Sequence, residues 1–449
     1  MKNDTIAAIS TALGQSAISI VRMSGENAFD ILKKVFTKKD IDLADSHTIH
    51  YGHILDDTQK VDEVLVSIFK KPKSFTTEDM IEINCHGGPF VARKILELLL
   101  KKGARLADKG EFTERAFYHG RIDLTQAESV LDMIEARTDH ALKLANKGLD
   151  GAIYELIQNL RQKLLDIIAN IEVNIDYPEY DDVEELTDTI LVPRIEHLLE
   201  NIDDILDKAA VGKVIKEGIK TVIIGRPNVG KSSVLNALLK EDKAIVTEIQ
   251  GTTRDTVEGE INIGGIILKL IDTAGIRDSD DLIENIGIKK AKKLIEEAEL
   301  ILYVLNNNEP LSKDDEKLLE LTKHKKRIVI INKIDLESKI DKTFENSVQI
   351  SALNRTNIEA LEKRIEALFL KGEINIDDSA YLSNARHIAK MHKVSTHLKD
   401  AWDAAKAHQP VDIIEIDLKG AWEVLGEIIG ETKKTTLLDE LFSKFCLGK

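Results

Sequence analysis

Apolar residues recur along the chain with two different periods. In "AFDILKKVF" (28–36) and "FVARKILELLLKKG" (90–103) they fall three and four apart, the spacing of one helix face, and the second run stops at Gly103. "AISIVRMSG" (17–25) and "VDEVLVSIF" (61–69) are short runs of β-branched and apolar residues and predict strands. This mixture over residues 1–118 predicts an α+β domain. From 119 to 215 the helical period takes over, in "LTQAESVLDMIEARTDHALKLANKGL" (124–149), "IYELIQNLRQKLLDIIANIEV" (153–173) and "PRIEHLLENIDDILDKAAVGKVI" (193–215). An acidic run, "DYPEYDDVEEL" (176–186), interrupts them. Helical spacing returns in "NARHIAKMHKVSTHLKDAWDAAK" (384–406) and "IIEIDLKGAWEVLGEIIG" (413–430).

Between the two helical stretches the texture changes again. "TVIIG", "GEINI", "IILKLID", "LILYVLN", "RIVIINK" and "VQIS" are strand-like runs separated by helical segments over 216–376. Such alternation predicts a mostly parallel sheet with crossover helices. Gly264 and Gly265, between two of the runs, predict one antiparallel hairpin. A complete α/β domain flanked by helices implies insertion, with the flanking helices forming one discontinuous domain. The expected fold is therefore multidomain: an α+β N-terminal domain (1–118), a discontinuous α-helical domain (119–215 and 377–449) and an inserted α/β domain (216–376).

Composition narrows the class. The 449 residues are 43% hydrophobic and 31% charged, as in ordinary globular proteins. No apolar run approaches a membrane span, so no membrane partner is expected. The start, "MKNDTIAAIS", carries Asp4 and makes a poor signal peptide. Two cysteines, Cys85 and Cys446, cannot build a disulfide framework or a four-thiolate zinc site. A cytoplasmic, reduced location is the expectation. The net charge of −16 argues against an extended nucleic-acid face. "KKAKK" (289–293) and "KHKKR" (323–327) are local basic runs whose ordinary reading is a solvated helix face or end.

The most specific chemistry lies in "TVIIGRPNVGKSSVLNALL". Gly225-x-x-x-x-Gly230-Lys231-Ser232 follows a strand and opens a helix, the context of a phosphate-binding loop. Asn228, Val229 and Gly230 form its turn, and Ser233 follows in the helix. Lys231 brings a cation to the β and γ phosphates, and the Ser232 hydroxyl suits Mg²⁺. In "LKLIDTAG" a strand ends at Asp272, followed by Thr273, Ala274 and Gly275. This carboxylate suits the Mg²⁺ shell, through a water, and the Gly275 N–H suits the γ-phosphate. "RIVIINKIDL" ends a strand with Asn332, Lys333 and Asp335. The Asp335 carboxylate can accept from guanine N1–H and the N2 amine, donors that adenine lacks, which selects GTP. Ser351 and Ala352 in "QISAL" fall beside the base.

This ordered set resembles the translation-factor-related GTPases. "GTTRD" (251–255) then fits the loop closing over the γ-phosphate, with Thr253 as the metal ligand. Two parts expected of such a site are missing. The residue after "DTAG" is Ile276, where Ras-like proteins place a glutamine that orients water, and no arginine finger is evident in the chain. A monovalent cation, a partner or a second copy must supply the charge.

Over its full length the chain resembles the MnmE (TrmE) family of tRNA-modification GTPases. "GRPNVGKSS", "GTTRD", "DTAGIR", "NKID", "SFTTEDMIEINCHGGP" (74–89), "GEFTERAF" (110–117), "DLTQAE" (123–128) and the terminal "FCLGK" carry the likeness. The resemblance implies a folate-binding N-terminal domain that homodimerises, and a Ras-like GTPase domain inserted in the helical one. It implies a heterotetramer with the flavoprotein MnmG, the partner that carries FAD. Together they would place an aminomethyl or carboxymethylaminomethyl group on carbon 5 of the wobble uridine of certain tRNAs. The one-carbon unit would come from a tetrahydrofolate, the 5-formyl or 5,10-methylene derivative.

Site residues follow from the same resemblance. Asn228 with Thr247, Ile249 and Thr252 would hold K⁺, which answers the missing arginine. Glu248, Gln250 and Gly251 complete that nucleotide-contacting loop. Glu284, in "DLIENIGI", would position the water; on residue chemistry alone it reads as a solvated acid near a helix start. Arg22, Glu82, Arg121 and Lys449 would contact folate, although the family often has lysine where Arg121 stands. Cys446 fits a prenylation box poorly because Gly448 and Lys449 close the chain. It reads either as a packed residue or as a reactive thiol, and the resemblance implies a thiol near the folate site that takes part in the modification. Cys85 reads as packed. A ribosome-assembly GTPase and a scaffold GTPase dimerising across nucleotide are the alternatives. Neither a Gly-x-x-Gly RNA clamp after residue 376 nor a basic amphipathic helix supports them.

Overall fold

The computed structural model describes residues 4–176, 187–239, 257–271, 293–369, 382–431, 438 and 441–449. They divide into two compact units, one of Met1–Leu131, Gly148–Arg161 and Leu425–Lys449, the other of Asp132–Lys147 and Gln162–Val424.

The first unit is built on six strands: β1 (Ile6–Ile9), β2 (Ile18–Ser24), β3 (Thr48–Asp56), β4 (Gln59–Phe69), β5 (Met80–His86) and β6 (Arg105–Leu106). Their order is β3-β4-β5-β2-β1-β6. All neighbours are antiparallel except β1 and β6. Alternation along β2, β4 and β5 sends Val21, Met23, Val66, Ile68, Ile81 and Ile83 to one face. There they are buried with Ile31 and Leu32 of α1 (Ala28–Val35) and Ile95 and Leu99 of α2 (Pro89–Lys101). Gly103, at φ +120°, follows α2 where the sequence places its stop. A second cluster, Ile6, Ala8, Ala107 and Phe112, packs α3 (Glu111–Tyr118) onto β1.

Under this unit lies a network of charge. Arg115 of α3 is only 7% exposed. It donates to Asp4 Oδ1 at 2.7 Å, to the Asp4 carbonyl at 2.9 Å, to Glu111 Oε1 at 3.0 Å and to Glu78 at 3.1 Å. Arg105 grips Asp4 and Glu111 from the other side at 2.5 Å each. The first strand, the 74–79 loop and α3 are thereby locked together. Hydrogen bonding to Arg105 holds the Asp4 carboxyl below its ordinary range, against a smaller opposing effect of burial, and Arg115 adds to the lowering. For Glu111 burial pushes upward, and the combined pull of Arg105, the Asp108 N–H and Arg115 outweighs it.

The helical stretch read over 124–149 is two helices, α4 (Leu124–Glu135) and α5 (Asp139–Leu149). The break comes at Thr138, whose Oγ1 accepts from the Ala141 N–H at 3.1 Å, an N-cap bond. Then follow α6 (Ala152–Asp176) and α7 (Val192–Glu217).

The second sheet comprises β7 (Ile219–Ile224), β8 (Val257–Ile263), β9 (Ile266–Ile271), β10 (Leu300–Asn306), β11 (Arg327–Asn332) and β12 (Ser347–Ile350). In the order β12-β11-β10-β7-β9-β8 every pair is parallel except β8 with β9. That pair turns at Gly264 and Gly265, with φ +56° and +83°, as the two glycines predict. β10 is buried at all seven positions, because apolar clusters cover both faces of the sheet. The helices packed on it include α8 (Lys231–Leu239), α9 (Lys313–Leu321) and α10 (Ile358–Phe369). The basic run at 323–327 is used locally. Lys323 pairs with Glu320, Lys325 donates to the Ala298 carbonyl at 3.1 Å, and Lys326 lies 4.4 Å from the Phe369 ring centre. Of the run at 289–293 only Lys293 is described, paired with Glu297 at 3.7 Å.

Two helices close the chain, α11 (Ala385–Lys406) and α12 (Val411–Ile429). α11 lies against α7, so helices from before and after the inserted sheet meet. Residues 425–449 group with the first unit because Leu438, Phe442 and Phe445 are buried with Phe117, Leu124 and Ala127. No helix among the described residues is long and apolar enough to cross a membrane.

Candidate functional site

The turn between β7 and α8 is shaped by backbone demands. Gly225 has φ +153°, and a Cβ there would stand 2.4 Å from the Val304 carbonyl oxygen. Gly230 has φ +98°, and a Cβ would stand 2.3 Å from Asn332 Nδ2. Asn228 itself is left-handed at φ +62°, a region that asparagine tolerates better than most residues. Lys231 folds back and donates to the Gly225 and Arg226 carbonyls at 3.1 and 2.8 Å. Ser232 and Ser233 sit in the first turn of α8, and the start of a helix favours anions.

Arg226 serves as scaffolding. It donates to Glu309 at 3.0 Å, and its Nε lies 2.8 Å from Asp315, at ion-pair distance but without hydrogen-bond geometry. The fully buried Asp315 is held in turn by Tyr303 and by a capping box with Ser312 at the start of α9.

Asn332, 2% exposed at the end of β11, joins the phosphate loop to the loop after β12. Its Nδ2 donates to the Val229 carbonyl at 3.0 Å, and its Oδ1 accepts from the Ala352 N–H at 3.0 Å. Lys333, left-handed at φ +68°, donates to the Asn228 carbonyl at 2.7 Å. Ser351 Oγ donates to Asp335 Oδ1 at 2.5 Å and accepts from the Asn354 N–H at 3.2 Å. Asn228, Val229, Gly230, Lys231, Asn332, Lys333, Asp335, Ser351 and Ala352 are thus gathered at one end of the sheet. The sequence reading missed the ties of Arg226 and the Ser351–Thr356 bridge that closes the second loop. The polar turn "NRTN" (354–357) was the available signal for that bridge.

Thr247, Glu248, Ile249, Gln250, Gly251, Thr252, Thr253, Asp272, Thr273, Ala274, Gly275 and Glu284 lie outside the described residues. β9, which leads to Asp272, runs parallel to β7 and beside it, so both strands end at the same edge of the sheet. A hydroxyl on the first turn of a helix behind a phosphate loop suits a hard, oxygen-seeking cation such as Mg²⁺.

A second candidate site lies in the first unit, a cavity of about 800 Å³ lined by Arg22, Glu82, Arg121 and Lys449, with Phe69 and Phe75. The four residues come from β2, β5, the turn after α3 and the end of the chain. Arg22 binds Glu82 Oε1 through Nε and Nη2 at 2.9 and 2.7 Å and donates through Nη1 to the Gly448 carbonyl at 3.1 Å. Arg121 donates to the Ser74 carbonyl and lies 5.3 Å from the Phe75 ring centre. Burial lowers the Lys449 ammonium pKa, and nearby Arg22 lowers it further.

The C-terminal segment is pinned beside this cavity. Ser10 Oγ donates to the Gly448 carbonyl at 3.1 Å. Leu447 bridges to Lys109. Gly448 has φ +90°, and a Cβ would stand 2.6 Å from the Ile9 oxygen. Between the buried Phe445 and this anchor the Cys446 thiol is free and exposed. Cys85, by contrast, is buried; its thiol donates to the Ser19 carbonyl at 3.3 Å, and desolvation, helped by Asp62, pushes its pKa up to about 11.

A parallel sheet with a phosphate-binding loop at one strand end and two further loops tied to it defines a Ras-like GTPase domain, here inserted in a larger multidomain chain. Family models for the MnmE helical domain and for the GTP-binding protein TrmE N-terminus match residues 124–446 and 5–121. The chain belongs to the MnmE family of tRNA modification GTPases. The tRNA modification GTPase MnmE of Lactococcus lactis is 52% identical over 448 residues, covering 99% of this chain and 98% of the relative. That of Bacillus cytotoxicus is 49% identical and covers 100% of both. The crystal structure of an Aquifex aeolicus Era variant bound to GDP and aluminium fluoride is 28% identical over 40% of this chain and 66% of that one, with a TM-score of 0.26.

Proposed function

We propose that this chain is a Mg²⁺-dependent, K⁺-activated GTP hydrolase that acts with the flavoprotein MnmG on the wobble uridine of certain tRNAs. The observation that carries the GTPase part is the linkage through Asn332, which holds the phosphate loop and the Ser351–Ala352 loop in one arrangement with Asp335. Lys231 neutralises the β and γ phosphates, and Asp335 selects guanine. Ser232, Thr253 and Asp272 would hold Mg²⁺, and Asn228, Thr247, Ile249 and Thr252 would hold K⁺, and the two ions would supply the remaining positive charge. Glu284 orients the water that attacks the γ-phosphorus, and GDP leaves as the bridging bond breaks.

Arg226 is engaged by Glu309 and Asp315, which supports the need for a cation. GTP turnover in KCl is therefore expected to exceed that in NaCl by at least tenfold, an order of magnitude typical for added charge at a phosphoryl transition state. Equal rates in matched salts would remove K⁺ from the mechanism.

The first unit is read as the folate domain, through which two copies of the chain pair. Arg22, Glu82, Arg121 and Lys449 facing one cavity support a ligand with a polar heterocycle at one end and carboxylates at the other, as in a tetrahydrofolate. The exposed Cys446 thiol beside that cavity supports a role in the modification rather than in packing. Cys446→Ser should keep the thermal midpoint and the GTPase rate while tRNA nucleoside mass spectrometry finds the modified uridine sharply reduced. Full modification by the variant would return Cys446 to an ordinary surface residue.

A further inference from the structure

His119 also lines the folate cavity, at the C-cap of α3, and the fold fixes which of its ring nitrogens carries the hydrogen. Its Nδ1 lies 2.6 Å from the Thr76 carbonyl oxygen. A carbonyl only accepts, so Nδ1 is the donor, and in the neutral ring Nε2 keeps a lone pair. Thr76 is itself fully buried, and its hydroxyl is hydrogen-bonded to Ser24 Oγ at 2.7 Å. The His119 backbone is held as well, since its N–H donates to the Arg115 carbonyl at 2.9 Å. With Nδ1 spent on Thr76, Nε2 is the nitrogen left to a ligand. Around it the guanidinium and ammonium groups of Arg22, Lys73, Arg121 and Lys449 can only donate. Glu82 commits Oε1 to two bonds from Arg22. A reduced folate carries carboxylates at one end but several N–H donors on its heterocycle, and those need acceptors.

We propose that His119 is a ligand-binding residue of this cavity, its Nε2 accepting a hydrogen bond from an N–H of the folate heterocycle. The inference rests on the folate reading of the cavity. The ring acts in its neutral form. Protonation would replace the lone pair with a second N–H, and two donors would then face each other, so the contact weakens as pH falls. Other charged groups on the surrounding elements are accounted for. Arg115 pairs with Glu78 at 3.1 Å and Arg22 with Glu82 at 2.7 Å. Lys73, Arg121 and Lys449 are cations, and Lys449 also carries the chain-terminal carboxylate. His47, edge-on to Phe69 at 5.5 Å, is the other histidine of the lining.

The test is calorimetric titration of the full chain with 5-formyltetrahydrofolate at about pH 8 and about pH 5.5, either side of the range in which histidines gain a proton. At the higher pH His119→Leu should bind about three- to tenfold more weakly, the range for one neutral hydrogen bond. His119→Gln, whose side-chain oxygen can take the place of Nε2, should stay within about twofold. The unaltered chain should lose about three- to tenfold in affinity at the lower pH, and His119→Gln should not. An unmoved thermal midpoint reports that the variants are folded, and the pH response of His119→Gln decides the matter even where His119→Leu is not. Equal affinities of His119→Leu and the unaltered chain overturn the proposal while leaving the folate site standing. So does an affinity that rises as pH falls, because the protonated ring would then be gripping carboxylate. A pH response that survives in His119→Gln and vanishes in His47→Gln overturns it and assigns the response to His47. Failure of the unaltered chain to bind at either pH refutes the folate reading itself.

Discussion

Asp335→Asn is expected to lower GTP affinity by about 10²–10⁴-fold and to turn base preference toward xanthosine triphosphate. In the unaltered chain the carboxylate offers only acceptors, and the Ser351 hydroxyl already orients it from 2.5 Å away. Guanine presents two donors to it. Asparagine keeps one acceptor, which can retain the Ser351 bond and meet N1–H, but it aims an amide N–H at the guanine amine. One charge-assisted bond is lost, worth about 1.5–3 kcal/mol, and an unpaired donor is created at about 1–3 kcal/mol. Xanthine keeps N1–H and carries a carbonyl where guanine has the amine, so it matches the variant at both points. Competition binding with the two triphosphates checks this. A variant that still prefers GTP would show that Asp335 does not face the base.

Arg115→Ala should destabilise the first unit by about 3–5 kcal/mol, the usual cost of removing one partner from a buried charge network. Asp4, Glu78 and Glu111 would then face one another with Arg105 as the remaining neighbouring guanidinium. For a unit of this size each kcal/mol moves the midpoint by about 2–4 °C, so the drop is roughly 6–20 °C. The effect is pH-dependent with a definite sign. Asp4 and Glu111 have lowered pKa values in the folded chain, so their contribution is complete above the ordinary carboxylate pKa of about 4. It is lost as pH falls through the lowered values. The gap between the two proteins should therefore close below about pH 4. A calorimetric midpoint unmoved at pH 7 would contradict the network's importance.

How far each feature could be read beforehand depended on whether its cause was local. The second sheet was legible because strands covered on both faces become continuous apolar runs, and β10 is the extreme case. The phosphate loop was legible because Gly225 and Gly230 have no room for a Cβ, so the fold writes its demand into single positions. In the first unit, β3 escaped the sequence reading. Tyr51 lies on its open face, and His50 and Gly52 thin the apolar signal on the other. The grouping of Arg22, Glu82, Arg121 and Lys449 around one cavity was legible only through family resemblance. Residues 22, 82, 121 and 449 have no common spacing, and only tertiary folding brings them to one wall. The break at Thr138 was hidden because the apolar period runs straight through it.

Asn332 has a consequence for the way nucleotide is held and released. A single amide side chain spans the gap between the loop that wraps phosphate and the loop that flanks the base. Loss of that one amide would therefore release both loops together, so the phosphate side and the base side of the pocket share a single point of failure.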